Sequence, residues 1–330
     1  MSIKKTCNYM MKKRNKTNKF KKVIFGFLAF FIFSAVVAMP TSAVIVYEAI
    51  FSQRFEPLDE MSFEVEDFSG LIQEKCFFES SEGKRLAGFK YDRRDNDEKA
   101  VVVISHGLGG GGQSLYMDVA DFFTKNDFYV FSYDATGNGD SQGDDVRGLP
   151  QGVMDLDKAL DFVKKQPEYA GLPIVIFGHS WGAYSTGSVL EYHPDISAVV
   201  MVAGFNQSKN MLEQESVKAV GPIARLTLPY VNLYEYFKFG DYSQASAMKG
   251  FDASDAGVMI LQSKDDTDVL PEIGYDIFYD KYSASPRFRF VLFEDRGHSY
   301  LYYKNGDIEL GLDENLMNEI VDFYILYCEK

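Results

Sequence analysis

The five residues Gly178-His179-Ser180-Trp181-Gly182 constrain this chain more than any other stretch. They lie between the apolar run Leu172-Pro173-Ile174-Val175-Ile176-Phe177 and the helix-compatible Ala183-Tyr184-Ser185-Thr186-Gly187-Ser188-Val189-Leu190. A serine between two glycines, on a sharp turn from a buried strand into a helix, is a mounting for a nucleophile. The turn is strained and packs closely on its neighbours, so a Cβ at either flanking position would clash. The strain pushes the hydroxyl out above the sheet, where a substrate carbonyl can reach it. The pattern takes its meaning from the strand before it and the helix after it.

An alcohol is a weak nucleophile and needs a base, so the 4 histidines decide whether the turn carries chemistry. His179 is the immediate neighbour of Ser180, and adjacent side chains leave such a turn in different directions. His193 follows thirteen residues along the next helix, about 20 Å away at ~1.5 Å per residue, and precedes Pro194 as a helix-end residue would. His106 ends the strand-like Val101-Val102-Val103-Ile104-Ser105 and comes too early for the chain order Ser, Asp, His. His298 remains, just after the strand-like Phe288-Arg289-Phe290-Val291-Leu292. The third member is expected on the loop after Gly257-Val258-Met259-Ile260-Leu261-Gln262, where a carboxylate would fix the imidazole tautomer. Asp265, Asp266 and Asp268 all compete for that place.

From about Ile72 to the C-terminus, these features resemble the α/β-hydrolase superfamily, and within it the serine hydrolases grouped with lysophospholipases, monoacylglycerol lipases and serine aminopeptidases. The acid loop of that group commonly carries an Asp three residues before a Val, which selects Asp266 against Val269. The resemblance implies an oxyanion hole built from two backbone N–H groups, those of Leu108 after the His106-Gly107 turn and Trp181 after the nucleophile. Only backbone position matters for such donors, so Leu and Trp are admissible. Asp134-Ala135-Thr136-Gly137-Asn138-Gly139-Asp140-Ser141 resembles the group's Asp-x-x-Gly-x-Gly-x-Ser turn. Three departures bear on the pocket: Thr267 stands where proline is frequent, Gly109 to Gly112 form a long glycine run, and Trp181 is bulky. Its indole is expected either to line the pocket floor or to pack beneath it.

Nucleotide and metal chemistry fit poorly. Gln113-Ser114 follows the glycine run where a P-loop needs Lys-Ser/Thr, and Gln142 stands where a dinucleotide fingerprint after Gly137-Asn138-Gly139 needs glycine. The histidines are scattered and no Cys-x-x-Cys occurs, so neither a metal nor another cofactor is expected. The acidic run from Asp140 to Asp145 reads as a solvated loop rather than a calcium site.

Nine lysines or arginines and no acids occupy residues 1–22, and residues 23–47 carry no charge. That length exceeds the ~20 residues that span a bilayer as helix, and the basic flank would keep the amino end in the cytoplasm. An uncleaved anchor with the body outside the cytoplasm is expected; a cleaved signal peptide is the rival, with small-residue sites at Val36-Val37-Ala38 and Thr41-Ser42-Ala43. Net charge is −14 over the chain and −23 once the nine basic residues of the arm are set aside, which disfavours nucleic acid. Residues 48–70, with seven acids and one arginine, read as a spacer. Cys76 and Cys328 are expected as buried free thiols, although a C-terminal helix reaching the first strand would let them pair.

Residues 71–330 suit one large α/β domain. Apolar strands near 85–91, 99–105, 128–133, 173–177, 197–203, 257–262 and 288–293 alternate with helical patterns. That order implies a mostly parallel sheet flanked by helices, with the site at the strands' carboxyl ends. Residues 204–255 break the alternation and are expected to form an inserted cap, its aromatics from Leu226 to Phe239 lining a pocket, touching a membrane or burying the cap. The resemblance implies a small-molecule ester or lipid as substrate. A serine aminopeptidase would instead need a cap carboxylate for a free amine, such as Glu213, Glu215 or Glu235. A tethered binding module with an idle site is the reading from another class.

Overall fold

Runs such as Val101-Val102-Val103-Ile104 and Ala198–Val202 have no polar face to offer water, so they can only be strands covered on both sides. In the computed structural model, which describes residues 2–57, 62–80, 83–93, 98–110, 112–305 and 308–329, they form the middle of an eight-stranded sheet. Its strands are β1 (Ile72–Glu79), β2 (Arg85–Asp92), β3 (Ala100–Ser105), β4 (Phe128–Tyr133), β5 (Ile174–His179), β6 (Ala198–Val202), β7 (Gly257–Ser263) and β8 (Phe288–Phe293). The order is β1-β2-β4-β3-β5-β6-β7-β8. Pairing is antiparallel from β1 to β4 and parallel from there on. The expected mostly parallel α/β sheet is present, with an additional antiparallel edge strand, β1, and a small hairpin of β9 (Tyr302–Asn305) and β10 (Ile308–Leu312).

Each face carries its own core. Helices α4 (Pro150–Val163), α5 (Trp181–Val189), α8 (Ala247–Ala253) and α9 (Tyr275–Tyr282) bury Leu156, Val189, Phe251 and Phe278 against one side. Helices α3 (Met117–Lys125) and α10 (Glu314–Cys328) bury Phe123, Ile320 and Tyr324 against the other. Cys76 packs with the first core and Cys328 with the second, and both thiols are free, so the sheet itself keeps them apart. The insertion between β6 and β7 holds α6 (Ser208–Val220), a 3₁₀ turn Pro222–Leu226, α7 (Leu228–Phe239) and then α8. Within this insertion, expected as a cap, α8 joins the core through Ala247 and Phe251, and α6 and α7 precede it.

The N-terminal region is one continuous helical run: α1 (Ser2–Phe33), a π-helical turn Ser34–Ala38 and α2 (Met39–Phe51). Pro40 lacks an N–H and crowds the carbonyl four residues back, and that carbonyl, of Val36, lies in the wider π turn. Among the described residues one helix, Asn18–Phe51, is long and apolar enough to cross a membrane. Its last turns are fastened to the body. Ala43, Tyr47 and Phe51 recur every fourth residue on one buried face. Tyr47 Oη donates to Glu235 Oε1 at 2.9 Å, and Glu48 accepts from Tyr234 Oη at 2.5 Å and Lys238 Nζ at 2.6 Å, all three partners being on α7.

The attachment continues past the helix, over the described part of the stretch expected as a spacer. The Arg54 guanidinium donates to the carbonyls of Ser141 (2.8 Å), Gly143 (2.9 Å) and Gly139, and Phe55 exchanges backbone hydrogen bonds with Gly137 and Gly139. Phe63, Val65 and Phe68 then pack on the second core. The acids of this stretch suggest a solvated tether; its one arginine and its aromatics bind it down.

Glu235 is 2 % exposed, and burial pushes its carboxyl up to about 7 even though Ser208, Tyr47 and Lys238 all favour the ionised form. A raised folded-state value means that its contribution to stability is complete below the unfolded value of ~4.3 and is lost as pH rises through about 7. Glu235→Gln stays neutral throughout. The melting temperature of the variant should therefore gain on that of the wild type between pH 5 and pH 8, as measured by thermal denaturation of the full chain in detergent. A difference independent of pH would show that Glu235 titrates in the ordinary carboxylate range.

Candidate active site

The turn after β5 has the geometry its glycines imply. Ser180 is held at φ 55° and ψ −115°, a conformation that costs a non-glycine residue of order 1–3 kcal/mol. A Cβ on Gly178 would meet Thr186 Oγ1 at 2.3 Å, and one on Gly182 would meet the Ser105 carbonyl at 1.9 Å. The two glycines thus let α5 press against the ends of β3 and β5. The Ser180 N–H donates to Val202 O at 2.8 Å, fixing the turn to β6. The hydroxyl is half-buried and makes no hydrogen bond among the described residues. The Leu108 and Trp181 N–H groups are likewise not taken by any described group.

On the loop after β7 the three aspartates separate by role. Asp266 is 1 % exposed and faces the His298 ring, with Oδ2 at 2.9 Å from Nδ1. Its Oδ1 accepts the backbone N–H groups of Asp268 (2.9 Å) and Val269 (3.0 Å), and Tyr300 Oη donates to Oδ2. Burial alone would raise this carboxyl, but His298, Tyr300 and the Val269 amide hold it below its ordinary value. Asp265 does another job: its Oδ1 accepts from Ser263 Oγ (2.6 Å) and the Gly297 N–H (2.9 Å), stitching the acid loop to the histidine loop. Asp268 meets α6 through its carbonyl, which accepts from Gln214 Nε2 at 2.8 Å. Since His298 Nδ1 is committed to Asp266, Nε2 is the nitrogen left for a proton from a nucleophile. No hydrogen bond joins His298 to Ser180 in this structure; catalytic contacts of this kind often tighten only when substrate binds.

His179 has no carboxylate on either ring nitrogen, and it lies closer to the His298 loop than its direction from the turn suggests. Its Nε2 lies 3.1 Å from the His298 carbonyl and must donate to it. Its Nδ1 therefore accepts from Tyr116 Oη at 2.8 Å, and Tyr116 Oη accepts the Gly107 N–H at 3.0 Å. One neutral imidazole thus links the turn after β3, the serine turn and the histidine loop. Burial and the neighbouring His298 press its value down to about 3, so it stays unprotonated at neutral pH. His106 is also buried and neutral, pressed by burial to about 4, with Nε2 accepting the Ala135 N–H at 2.9 Å. His193 pairs with Asp157 at 2.9 Å.

Trp181 takes the second of its two expected places. The indole is 2 % exposed, lies edge-on to His106 and donates from Nε1 to Leu149 O at 2.8 Å, so it packs beneath the site in the core. Near His193, Asp157 and Asp161 are close enough to share an ion, but Lys158 already binds both carboxylates and Lys164 Nζ lies 2.8 Å from His193 Nδ1. Asp140, in the acidic run, is paired with Lys75 at 2.5 Å.

The family model described as serine aminopeptidase, S33, matches residues 96–289, a span that includes Ser180 and Asp266. Human monoglyceride lipase is 32% identical over 95 residues, covering 28% of this chain and 30% of that protein. A monoglyceride lipase homolog of monkeypox virus is 33% identical over 94 residues, covering 28% and 34%. The chain thus matches about a third of the length of these relatives. An esterase of Pyrococcus furiosus superposes with a TM-score of 0.62 at 15% identity, covering 84% of this chain and 99% of that one. Acetyl xylan esterase 1 of Thermoanaerobacterium gives 0.55 at 15% identity, covering 80% and 86%. The folds coincide where the sequences have diverged, and the family match extends over more than half of the chain: it belongs to the serine aminopeptidase S33 family of α/β-hydrolases.

Proposed function

We propose that the protein is a membrane-anchored serine hydrolase that cleaves carboxylic esters of apolar acyl groups, with its catalytic domain outside the cytoplasm. The observation that carries the reading is the pairing of the buried Asp266 with His298, on loops of the same sheet end that presents Ser180 on its strained turn. Ser180 Oγ attacks the ester carbonyl while His298 Nε2 takes its proton. Asp266, held ionised, keeps the Nδ1–H tautomer and stabilises the imidazolium. The Leu108 and Trp181 amides receive the oxyanion. Collapse expels the alcohol with the proton from His298; water then enters by the same steps in reverse and releases the acid. No cofactor or metal takes part in this scheme.

The monoglyceride lipase relatives support an ester substrate. The aminopeptidase alternative needs a cap carboxylate free to bind an amine. Glu235 is buried under Tyr47 and Ser208, and Glu213 is paired with Arg225 at 2.6 Å. A long basic arm before an apolar helix supports the anchor and its orientation.

Turnover of p-nitrophenyl esters of graded length, set beside aminoacyl anilides and labelling by a fluorophosphonate probe, tests the reaction. Ser180→Ala or His298→Ala should each cost about 10⁴- to 10⁶-fold in kcat, and the double variant little more. Asp266→Asn should cost up to about 10⁴-fold. Faster turnover of anilides than of esters would favour the aminopeptidase, and an unlabelled protein the binding module. The anchor predicts a membrane fraction that resists carbonate and high salt, from which external protease releases the body. An amino terminus near Met39 or Val44 on protein free in the medium would show a signal peptide.

Trp181 supplies a backbone donor and core volume. Trp181→Phe should therefore keep kcat within about tenfold and leave the preferred acyl length unchanged, while its melting temperature falls because Leu149 O loses its buried donor. A changed acyl-length profile would return the indole to the pocket.

A further inference from the structure

The cap meets the anchor helix at the place where the helix stops being apolar. Between Lys22 and Glu48 lie 25 uncharged residues. At ~1.5 Å per residue they make about 37 Å of helix against ~30 Å of hydrocarbon, so the Tyr47–Glu48 end emerges into the outer headgroup layer. Tyr47 and Glu48 are the residues that hold α7, through Glu235, Tyr234 and Lys238, with the Tyr47 and Tyr234 ring centroids 5.5 Å apart. Buried side-chain contacts, not a flexible linker, fix the depth of α7.

The remaining face of α7 is apolar and uncovered. Phe237 is 77 % exposed, Leu233 52 % and Tyr236 49 %, and the turn before α7 adds Ile223 at 68 % and Leu226 at 57 %. Elsewhere on the body, exposed large apolar side chains such as Phe77, Tyr279 and Leu326 are dispersed over separate elements. A concentrated apolar patch of this kind marks an interaction surface. Its location names the occupant, because the exposed Ile45, Val46 and Ile50 of the anchor adjoin the same contact.

Resting on the anchored-hydrolase reading above, we propose that the cap face formed by Ile223, Leu226, Leu233, Tyr236 and Phe237 is seated in the interface of the outer leaflet beside the anchor helix, so that acyl esters pass from the bilayer to the site beneath the cap. The same cap reaches the catalytic loops: Gln214 of α6 donates to Asp268 O and accepts the Leu270 N–H, and Lys218 donates to Thr267 O. With −23 on the chain beyond Lys22, attraction to anionic lipid cannot seat it, so apolar burial must.

The test uses the full chain in phosphatidylcholine bilayers with brominated acyl chains, which quench tryptophan at short range. Native Trp181 is a constant buried background. Phe237→Trp should lose at least half of the added emission, with no change in 1 M salt, and Leu326→Trp, on α10 across the sheet, should lose almost none. Leu233→Ser with Phe237→Ser should slow hydrolysis of a vesicle-borne monoacyl ester at least tenfold and leave a soluble short-chain p-nitrophenyl ester unaffected. An unquenched Phe237→Trp in carbonate-resistant protein overturns the seating alone, as does equal slowing of both substrates. Carbonate-extractable protein overturns the anchor reading and the seating with it.

Discussion

The site depends on how closely α5 can approach β3. A Cβ at Gly182 would stand 1.9 Å from the Ser105 carbonyl, so that one missing methyl decides whether the helix can start where it does. With the helix in place, Ser180 is forced into the left-handed half of conformational space, its N–H is taken by Val202, and its hydroxyl has no direction left but outward. The indole of Trp181, the next residue, is turned down into the core and tied to Leu149. The bulk that the sequence places beside Ser180 therefore braces the turn from below.

Around that turn the protein sorts three histidines by environment. His106 is buried and His179 half-buried, both hydrogen-bonded to neutral groups, and desolvation keeps them uncharged. His298 has a carboxylate against one nitrogen and lies on a partly exposed loop. Asp266 is as buried as His106 but is surrounded by donors, and so stays ionised. The pattern is electrostatically consistent: the ionised Asp266 carboxylate is the charge that an imidazolium at His298 would neutralise.

The central strands, the serine turn and the histidine loop were legible because each depends on local chemistry: apolar runs without a polar face, glycines at a tight turn, a histidine after a strand. Strand β1 was not, since it lies at the edge of the sheet and Glu74 and Lys75 break its alternation. The choice of Asp266 among three aspartates needed the family resemblance, and the structure supplies the physical reason in the two backbone donors and Tyr300. The bridge through Tyr116, His179 and His298 joins residues up to 119 positions apart, and nothing in their spacing marks it. The direction of the His179 side chain from its turn says nothing about the loop it will meet. The docking of Tyr47, Glu48 and Arg54 was equally hidden, because composition read the stretch by its seven acids and not by the few side chains that bind.

That docking bears on how the N-terminal helix is used. Of the two small-residue sites, Ala38 is exposed in the π turn, whereas Ala43 is 4 % exposed, helical and on the face that packs against the body. A processing protease needs an extended, accessible backbone, so cutting at Ala43 would require the helix to unwind and leave the surface it shares with α7. The Tyr47–Glu235 and Glu48–Lys238 contacts oppose that unwinding, and they lie within two turns of the bond in question. The residues that fasten α7 to the helix thus also hold the helix around Ala43 against unwinding. The last turns of the apolar helix, from Ala43 to Phe51, are packed with the body as one folded unit.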